Sequence, residues 1–220
     1  MIKPKIKICC ISSAKEAELA IKYGASAIGL VSEMPSGPGV ISEDLIEEIA
    51  SSVPAEINTF LLTSNTNVTS IIEQHRKCKT TTIQIVDSVN SDVYLELRKS
   101  LPGISLVQVI HVTDEKSIDE ATTVSTFVDA ILLDSGNQKL KVKELGGTGR
   151  THDWAISRKI RGAVSVPVYL AGGINVNNVL DAIKEVEPFG VDLCNGVREN
   201  GRLSEKRLEE FFAVLHDRNY

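Results

Sequence analysis

With 220 residues, 42% of them hydrophobic and 24% charged, the chain has an ordinary soluble composition and enough length for one sizeable core, so a single domain over residues 1–220 is expected. Its net charge of −5, its scattered basic residues and its 5% aromatics argue against nucleic acid as a partner, and no apolar run approaches the ~18–20 residues that would span a bilayer. The opening Met-Ile-Lys-Pro-Lys lacks the apolar stretch and small-residue cleavage site of a secretory signal, which predicts a cytoplasmic protein.

Taken from the N-terminus, short β-branched or aliphatic runs alternate with longer amphipathic stretches. Strands are predicted at Lys5–Cys10, Ala27–Val31, Ile57–Leu62, Thr81–Val86, Leu106–Val112, Val128–Leu133, Val166–Leu170 and Val191–Cys194. Seven helical segments lie between them, and an eighth, Ser204–His216, ends the series. Ser42-Glu-Asp and Ser204-Glu-Lys each place a capping serine before an acidic first turn. Runs such as Ala130-Ile-Leu-Leu-Asp134 are apolar without alternation, as expected of parallel strands covered on both faces. An open doubly wound sheet would carry G-x-G-x-x-G after its first strand, but that strand ends in Cys9-Cys10-Ile11-Ser12 and the glycines cluster after strands six and seven. The pattern predicts an α/β protein with a closed (β/α)8 TIM barrel.

Such a barrel gathers its strand C-termini on one face, which makes the residues at those ends the candidates for chemistry. They are Cys9, Ser32, Thr63, Asp87, His111, Asp134, Gly172 with Gly173, and Asn195. Cys9 lies two residues after Lys7, so a strand's period of two places both on one face, and the lysine would favour the thiolate of a general base. The bland reading of this pair is a small core residue beside a tethered cation. Asp134 emerges from an apolar strand into the barrel mouth, where partial desolvation moves a carboxyl toward the range of a general acid; otherwise it orders the loop.

Gly146-Gly147-Thr148-Gly149, Gly172-Gly173 and Asn195-Gly196 are expected to let backbone N–H groups approach a phosphate. His111 reads as a satisfied hydrogen bonder, Asp87 as the start of a loop, Cys194 as a small packing residue beneath the phosphate loop and Trp154 as an anchor for the sixth helix. The four cysteines (9, 10, 78 and 194) show neither C-x-x-C nor a His spacing typical of zinc, so no structural metal, no disulfide and no cofactor are expected.

In order and spacing these segments resemble the phosphoribosylanthranilate isomerase family, whose signatures run K-I-C-G-I-T, L-L-D-S, G-G-T-G-x-x-x-D-W, L-A-G-G-[LI]-x-x-x-N-V and S-G-V-E. The chain reads Lys7-Ile-Cys9-Cys-Ile-Ser12, Leu132-Leu-Asp134-Ser, Gly146-Gly-Thr-Gly-Arg-Thr-His-Asp-Trp154, Leu170-Ala-Gly-Gly-Ile-Asn-Val-Asn-Asn-Val179 and Asn195-Gly-Val-Arg198. The resemblance implies a cofactor-independent Amadori rearrangement of a small phosphorylated sugar, with Cys9 as general base and Asp134 as general acid. It also implies a phosphate site at Gly172, Gly173, Asn195 and Gly196, and a substrate-binding loop of Gly147, Thr148, Gly149 and Arg150.

The chain departs from the family at four places. Gly39 stands where members usually carry an arginine that pairs with the anthranilate carboxylate, Cys10 replaces a glycine, Asn195 a serine and Arg198 a glutamate. Arg150 or Arg198 is expected to supply the missing positive charge. Two other readings stay open: a related barrel isomerase acting on a different phosphorylated aminosugar, and a non-catalytic phosphate-binding paralogue. The assembly is expected to be a monomer or a homodimer.

Overall fold

Eight parallel strands close into one barrel in sequential order, β1 pairing with both β2 and β8. The computed structural model describes residues 3–137, 140, 142–147 and 149–216. The strands are β1 Lys5–Ile8, β2 Ala27–Val31, β3 Asn58–Thr63, β4 Thr82–Ile85, β5 Ser105–His111, β6 Ala130–Asp134, β7 Val168–Leu170 and β8 Gly190–Leu193. Their partners are the helices α1 Ala14–Tyr23, α2 Glu43–Ser52, α3 Val68–Cys78, α4 Ser91–Ser100, α5 Lys116–Val124, α6 Trp154–Ala163, α7 Val179–Val186 and α8 Glu205–His216. Between β8 and α8 lie a 3₁₀ turn, Asn195–Val197, and a hairpin of β9 Arg198–Glu199 and β10 Arg202–Leu203, neither of which the sequence pattern announces.

Alternation along the strands divides the core in two. In β1, Ile6 and Ile8 face the helices, whereas in β2 the outward pair is Ile28 and Leu30. Inside the barrel, Ala27, Phe60, Val107, Val109, Ala130 and Leu132 build a second apolar layer that reaches up to Cys9 and Cys10. Burying an aliphatic or aromatic side chain of this kind contributes ~1.5–3 kcal/mol, which is why strands enclosed on both faces need no polar alternation. The helices are seated by capping. Ser13 accepts from the Glu16 amide, Ser42 from the Leu45 amide and Asp153 from the Ala155 amide, and Gly24 ends α1 at φ 115°, a left-handed conformation that suits glycine. Trp154 opens α6 and packs against the outer core, as expected of an anchor.

Several strand ends differ from the sequence-based boundaries. β1 stops at Ile8 rather than Cys10, because Cys10 has φ 62° and cannot continue an extended strand. β7 begins at Val168 rather than Val166, since Pro167 has no N–H to give the ladder. β6 runs from Ala130 to Asp134 instead of Val128 to Leu133, and β5 from Ser105 to His111 instead of Leu106 to Val112, because His111 pairs in register with Asp134. β8 covers Gly190–Leu193, leaving Cys194 outside at ψ −83°. β3 shifts by one residue, to Asn58–Thr63, and β4 is shorter by one residue at each end, Thr82–Ile85.

Candidate active site

The period of two places Lys7 and Cys9 inside the barrel, and both press against Gly29 of β2. A Cβ on Gly29 would meet the Cys9 Sγ at 2.7 Å and the Lys7 Nζ at 3.1 Å, so this strand glycine makes the space the two groups occupy. Lys7 is fully buried, with its ammonium 2.9 Å from the Asp192 carboxylate of β8 and 5.1 Å from the Phe60 ring centre. The ion pair follows from barrel closure, which sets Lys7 and Asp192 in register on neighbouring strands. Burial works against the lysine's charge, yet Asp192 and the nearby thiols hold its pKa above the usual lysine value. Burial also pushes the Asp192 carboxyl upward, with Lys7 opposing.

The Cys9 thiol is lowered from its ordinary pKa. The largest cause is a hydrogen bond from the Cys10 thiol; burial opposes it, and the positive charge of Lys7 adds to it. The sequence reading identified the lysine and missed the neighbouring thiol. The turn carrying Cys9 and Cys10 is braced by Arg198, whose Nη2 donates to the Cys9 carbonyl at 3.3 Å and to the Cys10 carbonyl, while the guanidinium pairs with Glu16.

Across the mouth, Asp134 ends β6 with its Oδ1 accepting the Ser135 amide at 2.7 Å. Gly146, at φ 138°, brings the loop so close that a Cβ there would stand 2.8 Å from the Asp134 Oδ2. That loop folds back over the barrel. Lys143 pairs with Asp87 at 2.5 Å, Ser36 Oγ donates to the Lys143 carbonyl at 2.6 Å, and Asn195 Nδ2 donates to the Gly147 carbonyl at 3.1 Å.

Cys9, Asp134, Asp192, Gly147, Gly149, Gly172, Gly173, Asn195 and Gly196 all line one cavity of about 350 Å³, a size suited to a small ligand. Gly172 and Gly173 take φ 78° and 65°, which turns their backbone toward the cavity, and their amides have no protein acceptor among the described residues. Asn175 and Asn178 both donate to the Gly173 carbonyl at 3.0 Å, fixing the turn. Arg207 of α8 also lines the cavity, held by Glu199 at 3.1 Å. Among the described residues no cluster of His, Cys, Asp and Glu could hold a metal ion.

Other candidates fall elsewhere. His111 is buried with Nε2 3.0 Å from the Val86 carbonyl, and neither it nor Asp87 lines the cavity. Arg198 does not provide a cation for a ligand, because its guanidinium is committed to Glu16 and to the Cys9, Cys10 and Gly201 carbonyls. Arg150 is paired with Glu144 and does not line the cavity, and Thr148 lies outside the described residues. Cys194 does pack against the inner core as predicted, but it also lines the cavity, with its Sγ 2.6 Å from the Cys10 Sγ. All four cysteines are free thiols. Sequence reasoning missed Asp192, Gly29 and Arg207; an acid inside the apolar β8 was the one available signal, and its partner became visible only on closure.

Gly39 takes on meaning here. A Cβ on it would stand 2.5 Å from the Cys10 Cβ, so the Cys10 side chain occupies the space that a side chain at position 39 would need.

Residues 6–214 match the family model described as N-(5'phosphoribosyl)anthranilate (PRA) isomerase. Curated relatives include an N-(5'-phosphoribosyl)anthranilate isomerase of Methanocella arvoryzae, 32% identical over 94% of this chain and 95% of its own length. Another is isomerase 2 of Methanosarcina mazei, 34% identical over 94% of this chain and 92% of its own. Among solved structures, phosphoribosyl anthranilate isomerase from Thermotoga maritima superposes with a TM-score of 0.82 at 25% identity, covering 97% of this chain and 99% of that one. A closed barrel with an acid and a thiol in one cup, matched across nearly the whole length to this set of proteins, places the chain in the phosphoribosylanthranilate isomerase family of tryptophan biosynthesis.

Proposed function

We propose that the chain converts N-(5-phosphoribosyl)anthranilate into 1-(2-carboxyphenylamino)-1-deoxyribulose 5-phosphate, with Asp134 as general acid and Cys9 as general base. The observation that carries these roles is that both groups, from opposite sides of the barrel mouth, line the same cavity as the glycine turns after β7 and β8. Asp134 protonates the furanose ring oxygen, and the ring opens to a Schiff base. Cys9, favoured as thiolate by the Cys10 thiol and the Lys7 ammonium, takes the C2 proton. The resulting enolamine tautomerises to the ketone. Every step is a proton transfer, so the reaction needs no cofactor.

The phosphate rests against Gly172, Gly173, Asn195 and Gly196, where left-handed glycines and the 3₁₀ turn bring the backbone to the ligand. Gly147 and Gly149 of the loop after β6 face the ligand from the same cavity wall. The protein works in the cytoplasm as a single 1–220 barrel domain, monomeric or homodimeric; no described helix is long and apolar enough to cross a membrane.

A second reading, a related reaction on a different phosphorylated aminosugar, draws its support from the Cys10 side chain filling the space beside Gly39. Complementation of a tryptophan auxotroph lacking this isomerase separates the two. Rescue that is lost in Cys9→Ser and Asp134→Ala supports the family reaction. Absence of rescue by the well-expressed parent favours the other substrate, and ligand binding without any turnover would indicate a phosphate-binding paralogue.

A further inference from the structure

Three sulfur-bearing side chains meet where β1 and β8 end. The strands are neighbours, with Ile8 opposite Leu193 and the Cys9 amide donating to the Leu193 carbonyl at 2.7 Å, so the next residues of each strand emerge side by side. Cys10 is turned by its positive φ of 62° so that its side chain crosses toward β8. Cys194 leaves β8 with an irregular backbone, and its Sγ stands 2.6 Å from that of Cys10. Cys10 is buried and Cys194 half-buried on the cavity wall, which gives the pair one sulfur that solvent reaches and one that is shielded.

We propose that Cys10 and Cys194 are a thiol–disulfide modification site, oxidised by a low-molecular-weight disulfide to a cross-link that ties the ends of β1 and β8 together at the barrel mouth and turns off the catalytic site. The Cys194 thiolate attacks one sulfur of the small disulfide RSSR, forming a Cys194–S–S–R bond and expelling RS⁻. Cys10 then gives up its proton and attacks the Cys194 sulfur, forming the Cys10–Cys194 bond and expelling the second RS⁻. Two cysteine thiols are oxidised and one small disulfide is reduced to two thiols. Hydrogen bonds with Cys194 and Cys9, together with burial, hold the Cys10 thiol well above its ordinary pKa, so Cys10 enters second, once the Cys194 sulfur beside it is tied up in the mixed disulfide.

The consequence for activity follows from the same contacts. The Cys10 S–H is the group that most favours the Cys9 thiolate, and a disulfide has no S–H to donate. The cross-link also lies between the base and the Asn195–Gly196 turn, both of which line the cavity. Cys78, the remaining thiol, is fully buried against α2 and does not line the cavity, so the oxidant does not reach it.

The test uses the full chain, incubated at pH 8 with oxidised glutathione, quenched by alkylation and digested for mass spectrometry. The expected result is a peptide pair joined through Cys10 and Cys194 with loss of two hydrogens, together with at least a tenfold fall in turnover; dithiothreitol reverses both. Cys194→Ser and, separately, Cys194→Ala keep the same turnover before and after oxidant, whatever their starting rates. The proposal is overturned if no such cross-link forms in the parent chain, or if the Cys194 variants lose activity to the oxidant as the parent does. Because the cross-link is read by mass, it stands or falls apart from the identity of the substrate.

Discussion

On the β1–β8 side of the cavity, Lys7, Cys9, Cys10, Asp192 and Cys194 are packed together, each braced by a buried partner or a neighbouring sulfur. The side formed by β2, β3, β4 and the loop after β6 presents Val31, Met34, Pro38, Leu62, Val86 and Leu145 around the amide of Gln84, and among the described residues no cation lines it. The difference assigns the tasks. A general base needs an ionisation set by fixed neighbours, which the β1–β8 side provides for Cys9 while Asp134 faces it from the end of β6, and the more apolar side is suited to packing against a ring. Arg207, a cation that lines the cavity, enters from α8 on the side of the glycine turns and not from the apolar wall.

Removing Cys9 from the braced side, or Asp134 opposite it, has the largest expected effect. Cys9→Ala and Asp134→Asn each lower kcat by ~10²–10⁴ with KM little changed, the range for loss of a general base or acid. Leu62→Ala on the apolar wall raises KM and leaves kcat nearly intact. Steady-state kinetics on the three variants check the division; equal effects on kcat from both walls would refute it.

Lys7→Met comes next. It strands the Asp192 carboxylate inside the barrel, and breaking a buried pair in this way costs ~3–5 kcal/mol, measurable by denaturant unfolding. Its effect on catalysis has a definite sign. The Cys9 pKa is lowered by the Cys10 hydrogen bond and, against burial, by Lys7. Removing the lysine therefore raises that pKa, and the acidic limb of the kcat/KM profile moves to higher pH. A smaller effect is expected of Gly29→Ala, whose Cβ at 2.7 Å from the Cys9 Sγ must push the thiol aside. Turnover falls by ~10–100-fold while the folded state is kept, as circular dichroism would show, since a displacement near 1 Å at a reacting group has a cost of that order.

The barrel was legible because its signals are local: apolar runs long enough for strands, capping serines ahead of helices and glycines after strands six and seven. Cys9 and Asp134 were legible for the same reason, since a strand end and a period of two suffice to place them at the mouth. What brings Lys7 to Asp192, or Cys10 to Cys194, is closure between the first and last strands, across more than 180 residues in both cases. No periodicity within either strand encodes that meeting. Arg198 shows the limit from the other direction. Its position in a mouth loop suggested a ligand-binding cation, but the hairpin of β9 and β10, too short to read from composition, folds it inward onto Glu16 and the Cys9–Cys10 turn.

The two walls touch at Cys10 and Gly39. Cys10 sits at φ 62°, a conformation that glycine adopts without strain, and its Cβ is 2.5 Å from where a residue-39 Cβ would lie. The two positions are thus linked by space: a side chain at one excludes a side chain at the other. Gly39→Arg alone is expected to lower the melting temperature by several degrees, because it adds both this clash and a side chain at φ 81°. Cys10→Gly in the same chain should restore much of that loss, so the two changes are non-additive by ~1 kcal/mol or more, as expected of residues in contact. The double variant also gives the apolar wall a cation for the first time. If the missing charge is what limits recognition of a carboxylated ring, KM for the anthranilate substrate falls by about tenfold, equivalent to ~1.4 kcal/mol and within the range of a charge-assisted hydrogen bond. An unchanged KM in a folded double variant would mean that the carboxylate is bound elsewhere in the cavity, and attention would pass to Arg207.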